Sequence, residues 1–253
     1  MTDRTERLNA LLKLSHALGD PRRQLAILGE GNVSARLDEA TFLVKASGTN
    51  LETLRAEDVV ACRAEILLPL LDQDGISDRE VDSALMQSRV DAGAKKPSVE
   101  SLFHALLLTL PGVGFVGHTH ALAVNSILCS PRAREFAEKR ILPDEIVCCD
   151  TESVFVSYAD PGLRLAQHIR DGVNGFVQKH QRSPRVVLLE NHGIITLGRT
   201  IEAVLAAMFM AEKVAAIWLG AAALGGPQFL PALEVARIAR RPDEELRQKI
   251  LNI

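Results

Sequence analysis

The chain has 253 residues, 47% of them hydrophobic and 24% charged, the make-up of a soluble globular protein with room for one large domain or two small ones. A formal net charge of -3, without a long basic run, gives no electrostatic reason to expect nucleic acid or an acidic membrane as partner, which leaves a small-molecule function. The four cysteines, Cys62, Cys129, Cys148 and Cys149, form no C-x-x-C pair and suit a reducing compartment.

Leu8, Leu11, Leu12 and Leu14 recur as on an amphipathic helix near residues 4–18, and this start lacks the apolar segment of a signal peptide, so a cytoplasmic protein is expected. Two glycine-punctuated strands follow, across GEGNVSARL and TFLVKASGTN, and then a helix over 77–92. In KKPSVESLFHALLLTLPG, Pro97 opens a helix that Pro111 and Gly112 stop. VGFVGHTHA is Val/Phe-rich between glycines, and RVVLLENHGIITLG holds two β-rich runs broken at Asn191-His192-Gly193; both read as buried strands. Further helices are predicted at 121–129, 132–139, 162–178 and 201–223. The most apolar stretch, Ile201 to Leu224, is interrupted by Glu202, Glu212 and Lys213, which makes a membrane span costly and favours a core or subunit-interface helix. With no internal repeat or low-complexity linker, residues 1–253 read as a single α/β domain with a peripheral arm from about residue 231.

Side chains at i and i+2 of a strand point to one side, so HTH at a strand end aims His118 and His120 at one point. Alone, such a pair reads equally well as polar residues at a strand end. His192 shifts that balance: it follows another strand, and Gly193 behind it permits a turn that a side-chain-bearing residue resists. Three neutral imidazoles with a fourth position open make a catalytic zinc arrangement, provided that the two strand ends meet in space. On the helix opened by Pro97, Glu100 lies in the first turn and His104 one turn on. Glu100 is then either a carboxylate favoured by the helix dipole or, given the short path to His118 and His120, a fourth ligand or general base; His104 supports Glu100 or the core.

GEGNVSAR departs from the dinucleotide fingerprint at its sixth position, Ser34, and no phosphate-binding P-loop is present. The small turns Gly31-Asn32 and Ser47-Gly48-Thr49, with Ser98 at a helix start, read singly as plain turns and together as a cradle for one phosphate.

The ordered set GEGNVSAR, KASGTN, KPSVESLFH, GHTHA and LLENHG resembles the class II aldolase/adducin family, over about residues 8–223. That family includes zinc-dependent fuculose- and rhamnulose-phosphate aldolases, ribulose-phosphate 4-epimerase and some decarboxylases. The resemblance implies a three-layer α/β/α fold with a mostly antiparallel central sheet, commonly a homotetramer with sites at subunit boundaries. It implies zinc, with Mn2+ or Co2+ as alternatives, on His118, His120 and His192. It implies Glu100 as the base and a resting ligand, and Asn32, Ser47, Gly48 and Ser98 on the substrate phosphate. Two positions depart from the aldolase pattern. The two hydroxyl residues before the glutamate are here Ser98 and Val99, and the lone tyrosine, Tyr158, sits in SYADPG, a structural slot in the family, so no proton donor carries over. The PSVESLFH form is closer to the aldolase-like portion of fused aldolase–dehydrogenase proteins. The activity expected is a retro-aldol cleavage of a phosphorylated ketose through a metal-stabilised enediolate. The alternatives are a decarboxylase of a keto acid or sugar-acid phosphate, a sugar-phosphate 4-epimerase, and an adducin-like binding protein.

Overall fold

The alternation of side chains along the strands settles the layering of the protein, seen in a computed structural model that describes residues 4–251. The strands are β1 (Asn32–Arg36), β2 (Thr41–Lys45), β3 (Val59–Arg63), β4 (Phe115–Thr119), β5 (Val154–Val156), β6 (Val186–Leu189) and β7 (Gly193–Gly198). They form one seven-stranded sheet in the order β3-β2-β1-β4-β7-β6-β5. Every neighbouring pair is antiparallel except β5 and β6. Val33, Ala35, Leu43, Phe115, Leu188 and Ile194 enter the core on one face, whereas Val44, Val116, Val187, Leu189, Ile195 and Leu197 enter the core on the other.

Helices cover both faces. They are α1 (Arg4–Leu18), α2 (Ala64–Leu67), α3 (Asp78–Ser88), α4 (Ser101–Leu107), α5 (Leu122–Leu128), α6 (Ala133–Glu138), α7 (Pro143–Cys149), α8 (Leu163–His180), α9 (Ile201–Ala222), α10 (Ala232–Ile238) and α11 (Pro242–Leu251). Helices α1, α5, α6, α7 and α9 contribute to the first core, and α2, α3, α4 and α8 to the second, giving the expected three-layer α/β/α arrangement. Helices α10 and α11 lie against α7. Helix α9 is long and apolar enough to cross a membrane. Here Val204, Ala207, Met208, Ala211, Val214, Ala215 and Trp218 are spent on the core.

Two boundaries differ from the sequence expectation. The helix expected to open at Pro97 begins at Ser101. Pro97 instead forms a β-bridge with Ala46, and Ser98 donates its N–H to Lys45 O, so the end of β2 holds this segment extended until Glu100 can turn it. The helix expected over 77–92 stops at Ser88, where Arg89 bridges Cys62 of β3 and Val90 donates to Ala61 O.

Candidate metal centre and active site

The candidate site lies where β4 ends beside the β6–β7 turn. Along β4, Gly117 and Thr119 face α1 and α9. His118 therefore projects toward α4, where its ring meets Phe103 edge-on, and His120, two residues on, follows it. His192 arrives from the β6–β7 turn, in which Asn191 takes the left-handed conformation (φ 53°). Gly193 makes the approach possible: a Cβ there would stand 2.5 Å from Thr119 O, 2.9 Å from His118 Cε1 and 3.0 Å from His120 Cδ2. The outcome is a cluster in which one ligand atom from each of His118, His120 and His192 lies within 4.8 Å of the others.

The tautomer of His118 is set by its neighbour. Its Nδ1–H donates to Ile194 O at 3.0 Å, which leaves Nε2 with its lone pair toward the cluster and with no hydrogen-bond partner despite burial. Burial pushes the His118 pKa down to about 4, so the ring is neutral near pH 7, the form that ligates a metal. Burial lowers His120 in the same direction. Glu100 Oε1 lies 3.6 Å from His118 Nε2 and 3.3 Å from His192 Nε2. Burial alone would raise this carboxyl; the imidazoles of His118, His192 and His104 outweigh it and hold Glu100 at about 2, ionised. An orphaned, buried Nε2, three imidazoles facing one point and an adjacent carboxylate fit a divalent metal of the zinc type.

Directly opposed residues of paired strands share a face, and Asn32 of β1 is opposite His118. Its Nδ2 donates to Glu100 Oε2 in a short contact, so Asn32 holds the carboxylate from the side away from the histidines. Ser34, two residues along the same face, meets His104 Nδ1 at 2.6 Å. His104 is fully buried, stacks on Phe103 and is held at about 3 by that burial; it stands outside the metal cluster and supports the floor beneath Glu100.

The loops beside Glu100 converge through backbone contacts. The Ala46–Pro97 bridge joins the Ser47-Gly48 turn to Ser98, whose Oγ accepts the Glu100 N–H at 3.3 Å. Gly48 (φ 75°) opens to empty space, whereas the Ser47 N–H is already given to Lys96 O at 2.9 Å, leaving its hydroxyl as the serine's free donor. Two residues escaped the sequence reading. Lys45 is buried at the end of β2, and its Nζ donates to Thr49 O at 2.6 Å and to Gly29 O at 3.4 Å, tying the two glycine turns together; burial lowers its pKa, offset by Glu100 and Asp58. A lysine inside an otherwise apolar strand was its signal. Glu30 brings Oε1 to 3.7 Å from His120 Nδ1, from a loop path that no sequence pattern encodes.

A cavity of about 780 Å³ lies near α10 and α11 around Arg140, Arg182 and Arg185. Most of its charge is spent locally: Arg140 donates to Asp150 O, Ala137 O, Lys139 O and Ser153, Arg182 to Asp150, and Lys179 to Glu152. The side-chain chemistry, rather than cavity size, marks the histidine cluster as the site.

Residues 9–219 match the family described as Class II Aldolase and Adducin N-terminal domain. The chain belongs to that family. The class II aldolases of that family generally depend on a metal. It is 30% identical over 182 residues to an uncharacterized oxidoreductase of Bacillus subtilis, YuxG, a match covering 69% of this chain and 24% of that protein. The chain thus spans about a quarter of the length of that relative. It is 27% identical over 237 residues, 91% of each chain, to a 5-methylthioribulose-1-phosphate/5-deoxyribulose-1-phosphate aldolase of Rhodospirillum rubrum. Among solved structures, an L-fuculose 1-phosphate aldolase shares the fold with a TM-score of 0.72 at 18% identity, over 97% of this chain and 98% of that one.

Proposed function

We propose that this class II aldolase is a zinc-dependent lyase that reversibly cleaves a carbon–carbon bond of a phosphorylated ketose, giving dihydroxyacetone phosphate and an aldehyde. The observation that carries the reading is the cluster of three histidines packed against an ionised, hydrogen-bonded carboxylate. His118, His120 and His192 are the proposed ligands, for zinc or for Mn2+ or Co2+. A metal bound there supplies Lewis-acid stabilisation of the negative charge that develops as the bond breaks. Glu100, in its base form and held by Asn32, takes the proton from the carbon next to the carbonyl in the condensation direction, and in the cleavage direction its protonated form returns that proton. Asn32, Ser47, Gly48 and Ser98 form the phosphate cradle, and Lys45 beneath the turns adds positive charge to it. The name of the Rhodospirillum rubrum relative, an aldolase acting on ketose 1-phosphates, supports this substrate class. We read the chain as one domain with a peripheral arm from about residue 231, acting in the cytoplasm as a homotetramer.

A screen of ketose phosphates and keto acids against the metal-loaded protein tests the proposal. The expected result is metal-dependent release of dihydroxyacetone phosphate from a ketose 1-phosphate. Carbon dioxide release from a keto acid would replace the aldolase with a decarboxylase, and inversion at one carbon without net cleavage would make it an epimerase. A folded protein that binds no metal and turns over none of these compounds would be an adducin-like binding protein.

A further inference from the structure

The site leaves two polar side chains unexplained, Glu212 in the apolar run of α9 and Asn125 in α5. Helix α5 starts immediately after His120 and has no cap of its own, since Ala121 at its N-terminus offers no side-chain acceptor. Glu212 supplies the acceptor from across the core: Oε1 takes the Ala123 N–H at 3.0 Å and Oε2 the Val124 N–H at 3.1 Å. In the next turn, Asn125 Nδ2 donates to His192 O at 2.8 Å. At the far end of the helix, Leu128 O accepts the N–H of Asn191, the left-handed residue that turns the chain into His192. Helix α5 therefore holds His120 through the covalent chain and the His192 turn through two hydrogen bonds.

We propose that Glu212 and Asn125 are positioning residues, which lock α5 as a bracket that fixes the spacing of His120 and His192. The hydrogen bonds of both side chains go to backbone, not to an imidazole, and both act through backbone that carries one. The inference rests on the reading that the three histidines bind a metal. Its consequence is that metal affinity and ligand geometry depend on a carboxylate on α9, on the opposite face of the sheet from α4.

The test compares parent protein with Glu212→Ala, Glu212→Gln, Asn125→Ala and Ser126→Ala. Zinc affinity is measured by competition with a chromophoric chelator, ligand geometry by the visible absorption of the cobalt(II)-loaded protein, and folding by thermal unfolding without metal. Glu212→Ala and Asn125→Ala are expected to weaken zinc binding by about 10-fold or more, the usual scale for residues that orient ligands, and to shift the cobalt bands. Glu212→Gln keeps one accepting oxygen and should fall between Glu212→Ala and parent. Ser126→Ala should match parent, because its exposed hydroxyl bonds only Leu122 O of its own helix. Zinc affinities within about twofold of parent and unchanged cobalt spectra in both alanine variants would overturn the inference, whatever happened to the melting temperature. If Glu212→Ala does not fold, Asn125→Ala, at a half-buried position, decides the question alone. A folded parent that binds neither zinc nor cobalt would overturn the metal reading instead, an outcome distinct from the failure of the bracket.

Discussion

The histidine cluster and the phosphate cradle lie side by side yet are built differently. His118 sits inside a strand hydrogen-bonded on both sides, fully buried, with Gly193 pressed against its ring. Ser47 and Gly48 are exposed on a turn held by one β-bridge, one lysine and a few backbone bonds. The contrast places the geometry-sensitive part, three ligand atoms that must meet, on a strand and the strand ends beside it, and the part that reads a substrate group on loops, Asn32 at the start of β1 excepted. Damage to the first should abolish chemistry, and damage to the second should weaken recognition.

The largest expected effect comes from breaking the rigid side. The parent should carry about one zinc per chain, and replacing His118, His120 or His192 with Ala should remove most of it together with turnover. Elemental analysis of the purified variants reads this directly, with His168→Ala on α8 as a silent control. Full metal and activity in all three variants would refute the ligand assignment.

Glu100 stands between the two regions, touching the imidazoles on one side and Asn32 on the other. Glu100→Gln keeps the shape and an acceptor for Asn32 but loses the base. Turnover should drop about 100-fold or more while zinc stays, because three histidines remain. A variant as active as parent would put the base elsewhere.

The same division decides what the sequence made legible. Strands β1, β2, β4, β6 and β7 announced themselves through apolar runs set between glycines and polar turns, and H-x-H with a glycine-backed third histidine carried its own geometry. The two strands that went unread, β3 and β5, are the edges of the sheet. Val59–Arg63 runs straight into α2 without a turn signal, and Val154–Val156 is only three residues long. The start of α4 differs from the expectation because Pro97 suits either a helix start or an extended segment, and only pairing with Ala46 chooses between them. Contacts made by loops, Glu30 to His120 and Lys45 to Thr49 and Gly29, depend on chain paths that no periodicity records. Glu212 was visible only as an interruption in an apolar helix; its partners lie 89 and 88 residues away.

The smallest expected effect lies in the cradle, and it sharpens the comparison most. Ser47 has already given its N–H to Lys96 O, so what it offers a phosphate is its hydroxyl. Ser47→Ala should therefore remove one hydrogen bond to a charged group, about 1.5 kcal/mol at this exposed position, and raise KM about tenfold. The contact is the same in the bound substrate and in the transition state, so kcat should change little. Inorganic phosphate should compete with substrate in the parent and compete less well in the variant. An equal fall in kcat and kcat/KM would mean that Ser47 acts in the chemical step, and the separation between a catalytic sheet and a recognition loop would fail. If unphosphorylated substrates are turned over as well as their phosphates and phosphate does not inhibit, the turns read a different anion. The carboxylate of a keto acid is the next fit, which would move the decarboxylase ahead of the aldolase while leaving the histidine cluster and Glu100 in their roles.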